Sequence, residues 1–132
     1  MITIGSARIG TNIFLAPLSG CSDLAFRLIA REHGAKFCFF EMIDSNSVIY
    51  GPERKLRAIL ETVGADKPIA VQILGEDPQV MLRASKRILE HVKVSFLDIN
   101  AACPAKKVLK KKAGSYLVKN SSVLYEIVKK LA

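Results

Sequence analysis

The chain has 132 residues, half of them hydrophobic and 24% charged, a composition typical of one ordinary globular domain. The formal net charge of +8 favours a polyanionic partner such as nucleic acid or a phosphorylated ligand. Three cysteines without a CxxC spacing argue against a disulfide framework and against a cysteine zinc site, and no metal site is predicted.

The first ten residues lack a charged segment followed by an apolar one, so no secretory signal is predicted. No apolar run approaches the roughly 20 residues that span a bilayer. We therefore expect a cytoplasmic protein without a membrane partner.

Four short apolar runs follow a small β-rich lead-in at residues 2–9, and their composition is typical of strands buried on both faces. The four runs are NIFLAP (12–17), KFCFFEM (36–42), PIAVQIL (68–74) and VSFLDIN (94–100). A segment with helical spacing follows each of them, so the chain repeats a βα unit four times.

The helical segments carry recognisable start and stop residues. The first is predicted to begin behind Ser22 as N-cap and to end at Gly34. The third is predicted to begin with Asp77 as N-cap and Pro78 in the first helical position. Its inward-facing residues are expected to be Met81, Ala84, Ile88 and Leu89. The second segment covers residues 52–64, and the fourth, residues 121–132, is expected to begin with a serine cap.

Repeated βα units predict an α/β fold with a parallel sheet and right-handed crossovers, in one domain over residues 1–132. Two architectures accept four such units: a small open doubly wound sheet, or the N-terminal half of a TIM (β/α)8 barrel, whose full length is ~250 residues. No GxGxxG or GxxxxGK[ST] motif follows the first strand, which weakens the nucleotide-binding open sheet.

Each predicted strand ends in a chemically distinctive residue. The first leads into APLSGCSD, the second ends at Glu41, the third contains Gln72, and the fourth ends at Asn100 with Cys103 close behind. Barrel enzymes build their active sites from the carboxyl ends of several strands. These endings therefore predict one shared site.

Four segments of the chain resemble the tRNA-dihydrouridine synthases, FMN-dependent enzymes whose catalytic domain is a (β/α)8 barrel. The segments are LAPLSGCSDLAFRLIAREHGA, EMIDSN, AVQILGEDP and DINAACPAKKVLKKKAGSYLVKN. The resemblance runs from about Ile4 to the last residue. It implies the N-terminal half of that barrel, truncated after the fourth βα unit.

The resemblance also implies roles for single residues. Those expected to bind the flavin are Pro17, Leu18, Ser19, Gln72 and Asn100, the last of them also lying near the uracil. Cys103 corresponds to the catalytic cysteine. Three basic residues correspond to positions that contact RNA or support the site, namely Lys106, Lys107 and Arg27.

Cysteine suits the chemistry that the resemblance implies, the reduction of uridine to 5,6-dihydrouridine in tRNA. Reduced FMN, with NADPH as the implied electron donor, delivers a hydride to C6, and an acid must then protonate C5. An unperturbed thiol, with a pKa of about 8.5, is still protonated near neutral pH, whereas an exposed carboxyl group is not. We therefore predict that Cys103 is the proton donor.

Lysines beside this cysteine suit a tRNA substrate. The target base must be flipped out of a folded RNA, and the phosphates around it need neutralising cations. Alternatives are a flavin-dependent barrel that acts on a free pyrimidine, and a truncated remnant that binds RNA or only associates with itself.

Two departures from the family pattern stand out. Ala102 occupies the position before Cys103 where the family usually has glycine; if that position needs a positive φ, alanine costs roughly 1 kcal/mol. The chain also lacks the second four βα units. We therefore expect the 132-residue chain to be inactive alone, to self-associate through its open sheet, and to hold FMN weakly.

Overall fold

Short strands and helices alternate along residues 1–132, all of which are described by the computed structural model. The strands are β1 (Ile2–Ile4), β2 (Ala7–Ile9), β3 (Cys38–Phe39), β4 (Ile43–Asp44), β5 (Ile69–Leu74) and β6 (Leu97–Ile99). The helices are α1 (Leu24–Glu32), α2 (Ser45–Tyr50), α3 (Glu53–Ile59), α4 (Pro78–His91), α5 (Lys106–Leu109), α6 (Tyr116–Lys119) and α7 (Ser121–Leu131). A 3-10 turn covers Gly64–Asp66.

The main sheet is parallel, as predicted, with β5 at its centre. Strands β3 and β4 both pair with one edge of β5, and β6 pairs with the other. The run at 12–17, predicted as a strand, makes only a single parallel bridge, between Leu15 and Cys38. The first of the four predicted βα units therefore lacks a regular strand, and the open sheet does not close into a barrel.

A bulge interrupts the second strand region. Phe39 lies opposite Ala70 and Ile43 lies opposite Ile73, so three residues of one strand face two of the other. Bulges of this kind bend a strand and redirect its side chains. Here the extra residue lets the consecutive Glu41 and Met42 both make contacts toward the carboxyl ends of the strands.

The outer face of the sheet, which carries Val71 and Ile73, packs against the helices. Fourteen buried residues form this main core. Helix α4 lies in the middle of the helical layer and packs against α2 on one side and α7 on the other. Because the helices cover this face, the strands present their opposite face, called the inner face below, away from them.

The inner face is aromatic at the amino ends of the strands. Phe37 and Phe39 pack there with Ala70 and Ile9, and the β1–β2 hairpin contributes to the same cluster. The ring of Phe37 stacks on that of Phe96 with centroids 5.5 Å apart and an interplanar angle of 8°. This cluster supports the end of the sheet opposite to the polar strand ends.

The predicted start of α4 and the predicted end of α1 were correct. Asp77 caps α4 by accepting from the backbone N–H groups of Gln79 and Val80, and Pro78 opens that helix. Gly34 follows α1 with φ of 97°, and the backbone bonds from Gly34 to Arg31 and from Ala35 to Ala30 form a Schellman motif.

Other local predictions were wrong. Asp23, not Ser22, caps α1, because the Ser22 hydroxyl is bonded to the backbone of Leu18 instead. Leu89 of α4 is exposed while its neighbour Ile88 is buried. The residue before α7 is Asn120, without a side-chain capping bond, rather than a serine.

The helices α2, α5 and α6, each of four to six residues, were not predicted. Asp44 at the end of β4 caps α2 by accepting from the N–H of Ser47 at 3.1 Å. No helix of the chain has the length and apolar character needed to cross a membrane.

Candidate active site

Three polar side chains, from β5, β6 and the residue that follows β6, form a hydrogen-bonded row on the inner face. Gln72 lies opposite Asp98 in the strand register, and its Nε2 donates to Asp98 Oδ2 at 2.6 Å. Its Oε1 accepts from Asn100 Nδ2 at 2.8 Å. The first contact uses one hydrogen of the Gln72 amide and the second uses one lone pair of its oxygen, which leaves one donor and one acceptor free in a fixed orientation.

The side chain of Asn100 holds the turn that carries Cys103. Its Oδ1 accepts from the N–H of Ala102 at 3.2 Å and from the N–H of Cys103 at 2.9 Å. Its Nδ2 donates to Gln72 Oε1 and to Met42 Sδ. Both lone pairs and both hydrogens of the amide are thus used within the protein, and the half-buried Cys103 is fixed directly after the strand.

The segment after the first predicted strand presents Leu18 and Ser19 to solvent beside Pro17. The Ser22 hydroxyl accepts from the N–H of Leu18 and donates to its carbonyl, both at 2.9 Å. The N–H of Gly20 donates to the carboxylate of Glu41. These bonds give the exposed segment a defined shape next to the end of the second strand region.

Arg27 lies in the interior and not on an RNA-facing surface. It is fully buried and forms an ion pair with Asp66 at 2.8 Å. Its other bonds reach the carbonyl oxygens of Ser22 at 2.6 Å and Glu61 at 2.7 Å. All three guanidinium nitrogens therefore have partners inside the protein. Arg27 was expected either to contact RNA or to support the site. Its burial and its bond to the carbonyl of Ser22 favour the second role.

The predicted lysines lie at the same edge as Cys103. Lys106 and Lys107 form the exposed first turn of the short helix α5. Neither has a carboxylate partner, whereas Lys111 forms an ion pair with Asp44 at 2.6 Å. The first two are thus available to an anionic ligand, and the third is partly neutralised.

A cavity of about 340 Å³ opens between the first loop, the end of the second strand region and helices α3 and α5. Ser19, Glu41, Lys55 and Lys107 are among the residues that line it. Cys103, Gln72 and Asn100 do not. The predicted residues therefore occupy two adjoining surfaces at one end of the sheet, which meet at α5.

Comparison with known proteins identifies the family. The sequence model described as dihydrouridine synthase (Dus) matches residues 14–132. The chain belongs to the dihydrouridine synthase family. A probable tRNA-dihydrouridine synthase of Treponema pallidum is 37% identical over 131 residues, 99% of this chain. The tRNA-dihydrouridine synthase B of Pasteurella multocida is 39% identical over 130 residues, 97% of this chain. In both cases the chain spans 38% of the relative's length.

One departure from the dihydrouridine synthase pattern is less costly than expected. Ala102, in the usual glycine position, does not have a positive φ, since Lys112 is the chain's one non-glycine residue in that region, at 59°. The backbone of this family member therefore accepts alanine at residue 102 without left-handed strain.

Several residues of the candidate site were missed from the sequence. Asp98 was given no role, although it lies two residues before Asn100, a spacing that places both side chains on one face of an extended chain. Met42 and Ser22 carry no sequence signal for their roles, because both act through contacts that the bulge and the first loop create.

Proposed function

We propose that this chain forms the N-terminal half of a (β/α)8 barrel that reduces uridine to 5,6-dihydrouridine in tRNA, with FMN as cofactor and NADPH as electron donor. The observation that carries the proposal is the turn after β6. Asn100 binds the backbone of Cys103 and the amide of Gln72 at once, so a thiol and an oriented amide lie at one strand end.

The residues fit the ring of a flavin. The pyrimidine edge of an isoalloxazine presents donors and acceptors, and Gln72 has one donor and one acceptor free in a fixed orientation. Pro17, Leu18 and Ser19 supply an adjacent loop surface for the ring. Asn100, by contrast, has no free hydrogen or lone pair, so we assign it to orienting Gln72 and Cys103 and not to a direct contact.

When bound, reduced FMN supplies the hydride that adds to C6 of the uracil. The Cys103 thiol then donates its proton to C5, a role in which a positioned acid is worth ~10²–10⁴-fold in rate. Lys106 and Lys107 neutralise phosphates beside the flipped nucleotide and hold the base against the thiol. A tRNA substrate places the enzyme in the cytoplasm.

The test uses a chimera, since the chain spans 38% of its relatives. The chain replaces the matching segment of the Pasteurella multocida relative, and the chimera is expressed in bacteria that lack dihydrouridine synthases. Dihydrouridine in their tRNA is measured by mass spectrometry, and flavin content by visible absorbance. We expect Cys103→Ala to lose at least about 10²-fold in rate with unchanged flavin content.

Cys21→Ala is the matched control, because Cys21 is a free cysteine exposed on the neighbouring loop. It should leave the rate unchanged. Full activity of the Cys103→Ala chimera would refute the proton-donor role, and reduction of free uracil in place of tRNA would favour a free-pyrimidine enzyme.

The isolated 132-residue chain is expected to self-associate and to bind FMN weakly. Strand β6 pairs with β5 on one edge only, and an unpaired edge promotes association. Sedimentation together with a visible spectrum tests both expectations, and a yellow monomer with one FMN per chain would contradict them.

A further inference from the structure

The Cys103 turn is in contact with a second segment that the proposed mechanism does not use. Cys103, Leu74, Val108 and Ala113 belong to a small apolar cluster that is separate from the main core. The N–H of Ser115 donates to the carbonyl oxygen of Cys103 at 3.1 Å. Residues 113–115 therefore contact the turn at the Cys103 carbonyl, whereas Asn100 binds the N–H groups of the same turn.

Gly114 lies at the centre of this contact. It is buried, and its φ of 64° is in the left-handed region. A Cβ atom at this position would lie 2.5 Å from the carbonyl oxygen of Cys103, 2.8 Å from Cγ1 of Val108 and 3.2 Å from Cβ of Cys103. Contacts this short require the backbone at residue 114, the Cys103 turn or the Val108 side chain to shift.

We propose that Gly114 is a positioning residue, which sets the location of the Cys103 thiol and its distance from the lysines of α5. Two features of the glycine act together. The absence of a Cβ lets the backbone at residue 114 touch Cys103 and Val108 simultaneously, and the positive φ aims the next N–H, that of Ser115, at the Cys103 carbonyl.

The inference deepens the proposed function and rests on it only for the role of the thiol as proton donor. Its test needs neither flavin nor tRNA. Failure of the inference and failure of the proposed function are therefore separate results.

Gly5 offers a matched control within the same chain. Its φ of 57° is close to that of Gly114, but a Cβ there would have no atom within 4 Å. Replacing either glycine with alanine imposes a similar backbone cost, of roughly 1 kcal/mol. Only the replacement of Gly114 pushes against Cys103.

The experiment measures the rate at which iodoacetamide labels Cys103, followed by peptide mass spectrometry. It uses the 132-residue chain with Cys21→Ser, because Cys21 is exposed and would also react. Cys38 is buried, and burial raises the pKa of its thiol, so it reacts slowly. We expect Gly114→Ala to label at least about threefold faster than the parent, and Gly5→Ala to label at the parent rate.

Equal labelling rates in the two alanine variants would overturn the proposal, since a general loss of stability affects both alike. Gly114→Asn covers the case in which Gly114→Ala does not fold, because asparagine tolerates a positive φ while its Cβ still meets Cys103. Labelling of that variant at the parent rate would also overturn it.

A second measurement needs no variant. Hydrogen exchange in the unmodified chain should show that the N–H groups of Ser115 and Cys103 open with one shared free energy, because the two segments move together. Exchange of the Ser115 N–H at the rate of an unstructured peptide, with Cys103 still protected, would contradict the proposal.

Discussion

The two ends of the inner face differ in what they contain and therefore in what they do. At the amino ends of the strands, Phe37, Phe39 and Phe96 pack ring against ring beneath the β1–β2 hairpin. At the carboxyl ends, a few residues on, Gln72 and Asn100 replace the rings with hydrogen-bonded amides.

The comparison shows how one strand can serve stability and chemistry at once. Apolar rings exclude water and contribute burial energy, which needs no particular orientation. Amides in a half-buried row must satisfy each other, so each fixes the orientation of the next. The first end can anchor the sheet while the second holds a reactive side chain in place.

The largest expected effect on stability is at the aromatic end. Phe37→Ala removes a fully buried ring that packs against three others, and should lower the free energy of unfolding by about 3–5 kcal/mol. Urea denaturation followed by circular dichroism measures it. Phe26→Ala, at a ring that is 41% exposed, is the control and should cost much less. Similar losses of unfolding free energy in both variants would show that the aromatic cluster does not contribute specially to stability.

The polar end should be less sensitive in stability. Asn100→Ala leaves the N–H groups of Ala102 and Cys103 without their acceptor and should cost about 1–3 kcal/mol in the same denaturation. The control is Asn120→Ala, which loses one bond to the carbonyl of Tyr116 and should cost about 1 kcal/mol. If Asn100→Ala left the free energy of unfolding unchanged, Asn100 could not be the residue that holds the turn.

The lysines at the polar end should affect RNA binding and leave folding unchanged. Replacing Lys106 and Lys107 with glutamine should reduce the slope of log affinity for tRNA against log salt by roughly 1.5 to 2 units, if each contacts one phosphate. Fluorescence anisotropy at several salt concentrations measures the slope. The matched control replaces Lys129 and Lys130 in the last turn of α7. If the slope changed equally in the two double variants, the effect would be a general one of net charge and not of contacts at α5.

The smallest expected effect on stability lies outside both ends of the inner face, at the contact between Glu53 of α3 and His91 of α4. Hydrogen bonds from His91, Arg87 and Arg57 lower the pKa of Glu53 to about 2, and the bond to Glu53 raises the pKa of His91. The contribution of Glu53 to stability is present above its usual pKa of 4.5 and is lost as the pH falls toward 2.

For His91 the direction is opposite. Its contribution is present below its usual pKa of 6.5 and is lost as the pH rises through the raised pKa of the folded state. Both contributions are therefore complete between about pH 4.5 and 6.5. His91→Gln should flatten the fall in melting temperature above pH 6.5. If His91→Gln left the dependence of melting temperature on pH unchanged, the Glu53–His91 pair would not be the cause of the fall.

Local patterns in the sequence were sufficient for the elements whose signals lie within a few residues. The cap at Asp77, the proline that follows it and the Schellman glycine Gly34 were read correctly, and so was the buried central strand β5. The physical reason is that such signals act through backbone groups of the same turn or through a continuous apolar run.

Only the tertiary structure decided which residues meet across the chain. Arg27 pairs with Asp66, 39 residues away, and this burial removes it from the RNA-contacting surface that the resemblance to the family had allowed. The bulge that directs Met42 to Asn100 depends on how two strands align, and the contact of Gly114 with Cys103 depends on the packing of α5. The residue types that make the site were legible in the sequence, but their orientations arise from contacts between distant segments, which no short stretch of sequence encodes.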